Sequence, residues 1–208
     1  IYENKLFEIK LAKFFMTSLR YEDYGKFIIN KKKFKYQNEC FQIEILKRIL
    51  VTCSGSIYSP RSRSIKFFLD KYLKLTNIKF TLHSCIIKCS LDEIYIYREF
   101  EKTKKLNSKQ RIIVKGHSVI WDNRFLINSI FFDLKCCILN NVIWLKLKKH
   151  YELMRKSKNI PYDILQTLPV LCFKNKMIIP FLTSRELMKT YGISVSLEPK
   201  IPLTKKNF

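Results

Sequence analysis

The spacing of apolar residues changes part-way along the chain, and this change limits the folds that are available to it. Before Asn77 the apolar residues recur every three or four positions, as at Phe41 and Ile45, which is the spacing of an amphipathic helix. After Asn77, short runs rich in β-branched and aromatic residues are separated by polar turns, which is typical of strands. We therefore predict an α+β fold in which a mainly helical segment, residues 1–76, precedes a small β-rich, mainly antiparallel C-terminal domain, residues 77–208. The end of that domain, from Glu198, is expected to be frayed.

The net charge of the chain indicates the chemical class of its binding partner. Forty Lys and Arg residues against 17 Asp and Glu residues give a formal charge of +23, which favours a polyanion, with nucleic acid first and an acidic membrane surface second. The lysines are scattered and not gathered on one helix face, which disfavours the membrane surface. The longest uncharged run, residues 49–60, is too short to cross a bilayer, and no cationic segment followed by an apolar one opens the chain. We expect a cytoplasmic protein with no membrane partner.

The chain carries little that indicates a metal site or a catalytic group. His83, Cys85 and Cys89 share one side of an extended strand and are too far apart for a tetrahedral ion. Most of the seven cysteines lie in apolar runs, where buried, reduced thiols are expected. No carboxylate or serine is placed beside a histidine in a way that suggests a triad. We predict no metal ligand and no catalytic residue in this chain.

The scarcity of glycine argues against nucleotide activation by these 208 residues. A phosphate loop needs a glycine-rich turn whose backbone N–H groups face the phosphates. The four glycines lie far apart, and Gly55, in the only faint candidate, follows a predicted helix and is better explained as its C-terminal cap. We therefore predict no cofactor-binding residue here.

Basic residues interleaved with aromatic ones form three clusters, around residues 31–36, 61–68 and 146–151. Such clusters suit the neutralisation of phosphates combined with stacking on exposed bases. A solvated, lysine-rich surface explains any single cluster equally well, so the net charge decides in favour of RNA. The candidate RNA contacts are Lys31, Lys32, Lys33, Arg61, Arg63, Lys66, Lys146, Lys148 and Lys149.

Three stretches of the β-rich part, with a fourth further on, form a recognisable pattern. They are Thr-Leu-His-Ser-Cys at 81–85, Tyr-Arg-Glu at 97–99, Trp-Asp-Asn-Arg-Phe at 121–125 and Thr-Leu-Pro at 167–169. In this order and spacing they resemble the C-terminal part of tRNA(Ile)-lysidine synthases, especially the alpha-proteobacterial form, over most of residues 40–182. The motif residues are Thr81, Leu82, Cys85, Arg98, Glu99, Trp121, Asp122, Arg124, Phe125, Thr167, Leu168 and Pro169. Ser84 departs from the pattern because the family usually has Gly there, and a strand glycine often marks a bulge or a close approach of two backbones.

The resemblance implies a role in tRNA modification. In the family, ATP adenylates the C2 carbonyl of the wobble cytidine of a CAU anticodon, and the ε-amine of free lysine then displaces AMP. That chemistry belongs to an N-terminal ATP-pyrophosphatase domain with a Ser-Gly-Gly-x-Asp-Ser loop, which has no counterpart in this sequence. We therefore expect this chain alone to be inactive and to contribute binding of tRNA(Ile), with the ATP-pyrophosphatase domain upstream or on another chain. ATP and lysine are implied for the full-length enzyme, and a homodimer is left open. The alternative is a non-catalytic basic RNA-binding module or the remnant of a decayed synthase gene.

The most family-like pair in the chain, Trp121 and Arg124, supports one geometric expectation. If this stretch is a continuous strand, Trp121, Asn123 and Phe125 share one face and Asp122 and Arg124 share the other. The first face would fill the core. Arg124, a candidate RNA contact, would then be exposed and would meet either a phosphate or a carboxylate such as Glu99 or Asp122. An exposed ion pair of that kind would contribute about 0–1 kcal/mol to stability.

Overall fold

The computed structural model describes residues 2–107, 109 and 111–204 and divides the chain into two compact units. The first unit runs to Arg98 and includes the C-terminal segment from Pro199, and the second unit is Glu99–Glu198. Both units combine helices with antiparallel sheets, so the predicted α+β class is confirmed. Among the described residues, no helix is both long enough and apolar enough to span a bilayer.

A five-stranded antiparallel sheet forms one layer of the first unit, in the order β1-β2-β5-β4-β3. Its strands are β1 (Leu19–Glu22), β2 (Lys26–Asn30), β3 (Ile78–Leu82), β4 (Cys85–Cys89) and β5 (Glu93–Arg98). The central strand β5 has buried side chains at four of its six positions, three of them consecutive, from Ile96 to Arg98, which is the pattern of a strand covered on both faces.

Four helices accompany this sheet: α1 (Tyr2–Ser18), α2 (Lys31–Lys35), α3 (Glu39–Ser54) and α4 (Ser62–Lys71). Helix α3 packs against β5, and its apolar stripe, which includes Ile45 and Ile49, is fully buried. The side chain of Asn38 accepts a hydrogen bond from the backbone N–H of Phe41 and caps the start of α3. Gly55 ends the helix in the left-handed conformation, as predicted from the sequence.

The division between the two units lies beyond the boundary expected at residues 76–77. Strands β3, β4 and β5 follow that boundary but remain in the first unit, because β5 pairs with β2 in the register Phe27↔Ile96. The C-terminal segment also belongs to this unit. The hydroxyl of Thr52 donates to the carbonyl of Ile201 at 3.0 Å, and the expectation of a frayed end is therefore wrong for residues 199–204.

The turn between β3 and β4 shows why glycine would suit position 84, where this chain has serine. Leu82 pairs with Cys85, so His83 and Ser84 form a two-residue turn, and both have positive φ, at 50° and 60°. Such a turn is typical of a right-handed twisted hairpin and favours glycine, since L-residues are strained in the left-handed region. In this chain, position 84 therefore lies in a hairpin turn between two strands and not within one strand, where a bulge or a close approach of two backbones was expected.

Replacing Ser84 by glycine should stabilise the first unit, because glycine adopts positive φ without a steric cost. We expect a gain of about 0.5–1 kcal/mol in the free energy of unfolding, measured by calorimetry or denaturant titration. Ser64 supplies the control, since it lies inside α4 with right-handed helical backbone. Glycine there should instead lower stability by about 0.5–1 kcal/mol. Equal effects at the two positions would contradict the strain assigned to Ser84.

The second unit contains two smaller antiparallel sheets, with strand orders β11-β10-β9-β6 and β12-β8-β7. The strands are β6 (Arg111–Ile113), β7 (Ser118–Trp121), β8 (Phe125–Ser129), β9 (Leu134–Ile138), β10 (Pro169–Phe173), β11 (Lys176–Ile178) and β12 (Ile193–Leu197). The accompanying helices are α5 (Phe100–Leu106), α6 (Asn141–Ser157), α7 (Tyr162–Leu165) and α8 (Arg185–Thr190). Lys174 and Asn175, both with positive φ, form the turn that joins β10 to β11.

Candidate nucleic-acid interface

Two of the predicted basic clusters lie near the start of helix α3 in the first unit. The side-chain amide of Gln42, in the first turns of α3, donates to the carbonyl of Phe34 at 3.0 Å and so holds α2 against this end. Lys66 on α4 lies 2.9 Å from Glu39, the first residue of α3. The lysines of α2 and the basic residues of α4 therefore flank the same helix end, which also carries a partial positive charge. We call this region the α3 basic surface: Lys32, Lys33, Lys35, Arg61, Arg63 and Lys66.

The side chains of this surface are exposed, and only some have protein partners. Lys33 donates to the carbonyl of Thr17 at 2.8 Å, and the hydrogen bond from Lys66 to Glu39 raises the pKa of Lys66 and keeps it charged. Lys35 was not among the predicted contacts, although the Lys-Lys-Lys-Phe-Lys run already contained it. Its exposed position on α2 adds it to the candidates.

Lys31 is the exception in the first cluster, because the structure places it inside the protein. Its side chain is only 3% exposed, and its ammonium group donates to the carbonyls of Leu75 and Ser90, each at 2.9 Å. A buried ammonium is tolerated when backbone carbonyls replace its water shell. Its prediction as an RNA contact is therefore wrong, and it instead ties α2 to the segment after α4 and to the turn between β4 and β5.

The third predicted cluster lies on helix α6 of the second unit. The helix begins where the side chain of Asn140 accepts a hydrogen bond from the backbone N–H of Ile143 at 2.8 Å. Tyr151 marks its buried face, and its exposed lysines spread over the rest of the helix surface instead of forming one stripe. This group, the α6 basic surface, consists of Lys146, Lys148 and Lys149.

The Trp-Asp-Asn-Arg-Phe motif forms the turn between β7 and β8, and its charged residues point into the second unit. Asp122 and Asn123 have φ of 52° and 56°, and the N–H of Arg124 donates to the carbonyl of Trp121 at 3.1 Å. The side chains of Asp122 and Arg124 are 0% and 1% exposed, with 2.8 Å between a guanidinium nitrogen and a carboxylate oxygen. The turn therefore buries an ion pair.

The buried pair joins three parts of the second unit. The hydroxyl of Thr103 and the amide of Asn107, both from the α5 region, donate to the Asp122 carboxylate at 3.2 and 3.4 Å. Arg124 also donates to the carbonyl of Thr167 at 2.9 Å and lies over the ring of Phe125. The motifs at 121–125 and 167–169 thus meet in one polar network. Thr103 and Asn107 also belong to this network, although no motif in the sequence includes them.

This geometry corrects the expected facing of the motif. Trp121 is 1% exposed, as predicted, but Arg124 is equally buried and is not on an opposite, solvent-facing surface. Strand alternation fails here because the backbone reverses at Asp122 and Asn123. The prediction of Arg124 as an exposed RNA contact is therefore wrong. Of the two carboxylates considered as its partner, Glu99 and Asp122, it pairs with Asp122.

The motif residues of the first unit are also mainly structural. Cys85 and Arg98 face each other across β4 and β5, and both are buried. The thiol of Cys85 lies 3.7 Å from the carbonyl of Leu50, and Arg98 donates to the carbonyl of Ser84 at 3.2 Å. Of the other motif residues, Thr81 is exposed and Leu82 is half-buried. In the second unit, Glu99 is half-buried and Thr167, Leu168 and Pro169 are buried.

Burial keeps one histidine and two cysteines of the protein in their neutral forms. Burial lowers the pKa of His83, which keeps its ring neutral near pH 7. Burial likewise raises the pKa of the Cys89 and Cys136 thiols, so they stay protonated. Five of the seven cysteines are buried, as predicted, and the described residues contain no group of three His, Cys, Asp or Glu side chains suited to a metal ion.

Comparison with known proteins identifies similar sequences but no similar solved structure. Over 183 residues the chain is 32% identical to the tRNA(Ile)-lysidine synthase of Rickettsia conorii, a match that covers 83% of this chain and 36% of that protein. The enzymes of Rickettsia akari and Rickettsia prowazekii are 31% and 33% identical over 185 and 186 residues, or 41% and 42% of their lengths. No family model and no solved structure matches.

The extent of these matches defines which part of the relatives the chain resembles. The chain spans about two fifths or less of the length of the curated relatives that it matches, which is consistent with a C-terminal part. The resemblance inferred from the four motifs is confirmed: along most of its own length, the chain is related to the tRNA(Ile)-lysidine synthases.

Proposed function

We propose that this chain supplies tRNA binding to a tRNA(Ile)-lysidine synthase. The similarity to that group of enzymes over 83–85% of the chain carries the proposal. The exposed lysines and arginines of the α3 and α6 basic surfaces support it independently, because phosphate contacts by such side chains provide most of the affinity for nucleic acid.

The proposed reaction explains why a separate binding part is useful. A ring carbonyl such as C2 of cytidine is a poor electrophile until ATP converts its oxygen into a leaving group, after which the lysine amine attacks C2 and AMP departs. A wrong tRNA modified in this way would be misread, so the enzyme needs contacts that distinguish its substrate. We propose that tRNA(Ile) with the CAU anticodon is held by this chain, while adenylation takes place in an ATP-pyrophosphatase domain upstream or on another chain.

Binding to tRNA should depend steeply on salt. Each phosphate contact is expected to contribute about −0.7 to the slope of log K against log of salt concentration. Filter binding at several KCl concentrations measures this slope for the 208-residue chain. A flat salt response, or no tRNA binding near roughly physiological ionic strength, would count against an RNA-binding role.

The α6 basic surface can be tested against a matched set of lysines. Replacing Lys146, Lys148 and Lys149 together by alanine should weaken tRNA binding and make the salt slope shallower by up to about 2. Lys102, Lys104 and Lys105 are the control, since they are exposed on helix α5 of the same unit. Replacing them by alanine removes the same amount of charge. If both triple variants lose affinity equally, binding reflects overall charge and not the α6 basic surface.

An activity measurement tests whether this chain only binds tRNA while another domain catalyses the reaction. Incubated with ATP, radiolabelled lysine and tRNA(Ile) carrying CAU, the chain alone should attach no lysine above a control without protein, because it has no phosphate-binding loop. Lysine incorporation would show that the active site lies within this chain.

A further inference from the structure

An aromatic cleft of about 460 Å³ lies beside helix α6, and none of the sequence motifs accounts for it. Its walls include Trp144 from α6 and Tyr162 from α7, whose ring centroids are 5.6 Å apart at an interplanar angle of 48°. The hydroxyl of Tyr162 donates to the side-chain carbonyl of Asn141 at 3.2 Å. This bond holds Tyr162 against α6, so the cleft is formed without a ligand.

Two cations flank the Trp144 ring. Lys148 lies one helical turn after Trp144 and lines the same cleft, and the guanidinium carbon of Arg155 is 6.0 Å from the centre of the ring. Nε of Arg155 is buried and has no hydrogen-bond partner among the described residues. Glu152, on the same face, is the acidic residue of the cleft. Two basic side chains beside an accessible indole favour a ligand that is aromatic in one part and anionic in another.

A nucleotide has this composition, and its volume suits a cleft of this size, since small-molecule sites occupy about 300–1,000 Å³. A base stacks on an indole face, and its phosphate neutralises the neighbouring cations. The concave shape disfavours a flat membrane surface. A regular duplex is disfavoured too, because its bases are already stacked and paired. We propose that the cleft takes one unstacked nucleotide of the bound RNA, with its base on Trp144 and its phosphate beside Lys148 and Arg155.

This inference rests on the proposed RNA-binding function and assigns it a specific site. Glu152 lies between Lys148 and Arg155 along α6, so these three side chains leave a net positive charge in the cleft for the phosphate, and its carboxylate can accept a hydrogen bond from a base amino group. The cleft therefore favours single-stranded ends or loops over paired RNA, whereas the α6 lysines bind phosphates of either.

Tryptophan fluorescence provides a direct test, because the chain has two tryptophans and Trp121 is buried. An unstructured RNA octamer should quench Trp144 and protect it from acrylamide. The substitution Trp144→Ala should weaken octamer binding by about 5- to 150-fold, the range for loss of one base–aromatic stack. Binding to a blunt RNA duplex of equal charge should stay within about twofold. Phenylalanine at Trp144 should retain most of the affinity, and Val142→Ala, an exposed change on α6 outside the cleft, should retain all of it.

The possible failures are distinguishable. If the wild-type chain binds tRNA and Trp144→Ala binds the octamer equally well, the cleft is not the nucleotide site but the RNA-binding function stands. If the wild-type chain binds no RNA, both proposals fail. Free CMP binding as tightly as the octamer would overturn the assignment to an RNA strand. If Trp144→Ala does not fold, acrylamide protection of the wild-type protein decides, and absence of protection overturns the proposal.

Discussion

Replacing Asp122 by alanine is expected to lower the free energy of unfolding of the second unit by about 3–5 kcal/mol, because it leaves the Arg124 charge buried without its partner. The two side chains are almost completely buried, and Thr103 and Asn107 also lose their acceptor. Alanine would in addition be strained at the positive φ of this position. Denaturant unfolding followed by tryptophan fluorescence measures the effect, since both tryptophans lie in this unit.

A double-mutant cycle separates the ion pair from the other effects. Asp122→Asn keeps a side chain that tolerates positive φ, and Arg124→Met removes the cation while retaining apolar length. The double variant should be less destabilised than the sum of the two single variants, with a coupling of about 0.5–3 kcal/mol. The exposed ion pair of Lys66 and Glu39, with a similar separation of 2.9 Å, is the control. Lys66→Ala should lower the free energy of unfolding far less, because water screens this pair. Strict additivity at Asp122 and Arg124 would contradict a buried ion pair.

Replacing Trp121 by alanine should also cost about 3–5 kcal/mol, in this case because a large cavity replaces a buried indole. Trp121 is 1% exposed, and its ring centroid lies 6.2 Å from that of Phe125, which is itself fully buried. Trp144 remains as the fluorescent reporter in this variant, and a chemical denaturation curve gives the free energy of unfolding.

The two tryptophans provide an internal comparison. Trp144→Ala truncates the same side chain at the half-exposed wall of a cleft, where the ring already meets solvent, so a smaller loss of stability is expected. Trp121→Phe should recover part of the loss caused by alanine at that position. A Trp121→Ala protein as stable as wild type would show that the indole is not part of the core.

Arg124 shows the limit of predicting the facing of side chains from residue spacing alone. A period of two along residues 121–125 placed Trp121 in the core correctly, but it also placed Arg124 in solvent, which was wrong. Alternation holds only while the backbone stays extended, and Asp122 and Asn123 turn the chain through positive φ. Asn and Asp are among the residues that tolerate this conformation, so the sequence did contain a turn signal.

Lys31 illustrates the same limit for charge. Within the run at 31–33 the three lysines are chemically identical, yet only Lys31 is buried against the carbonyls of Leu75 and Ser90. Those carbonyls are 44 and 59 residues away along the chain, so no local pattern could distinguish it from its neighbours.

The sequence alone determined the features that depend on local spacing and residue chemistry. These are the α+β class, the helix end at Gly55 and the motifs that resemble tRNA(Ile)-lysidine synthases. Only the tertiary structure decided which strands pair across the expected boundary, which basic residues are buried, and that Trp144 and Tyr162 form a cleft. The physical reason is that helix and turn propensities act over a few residues, whereas burial depends on side chains that approach from distant parts of the chain.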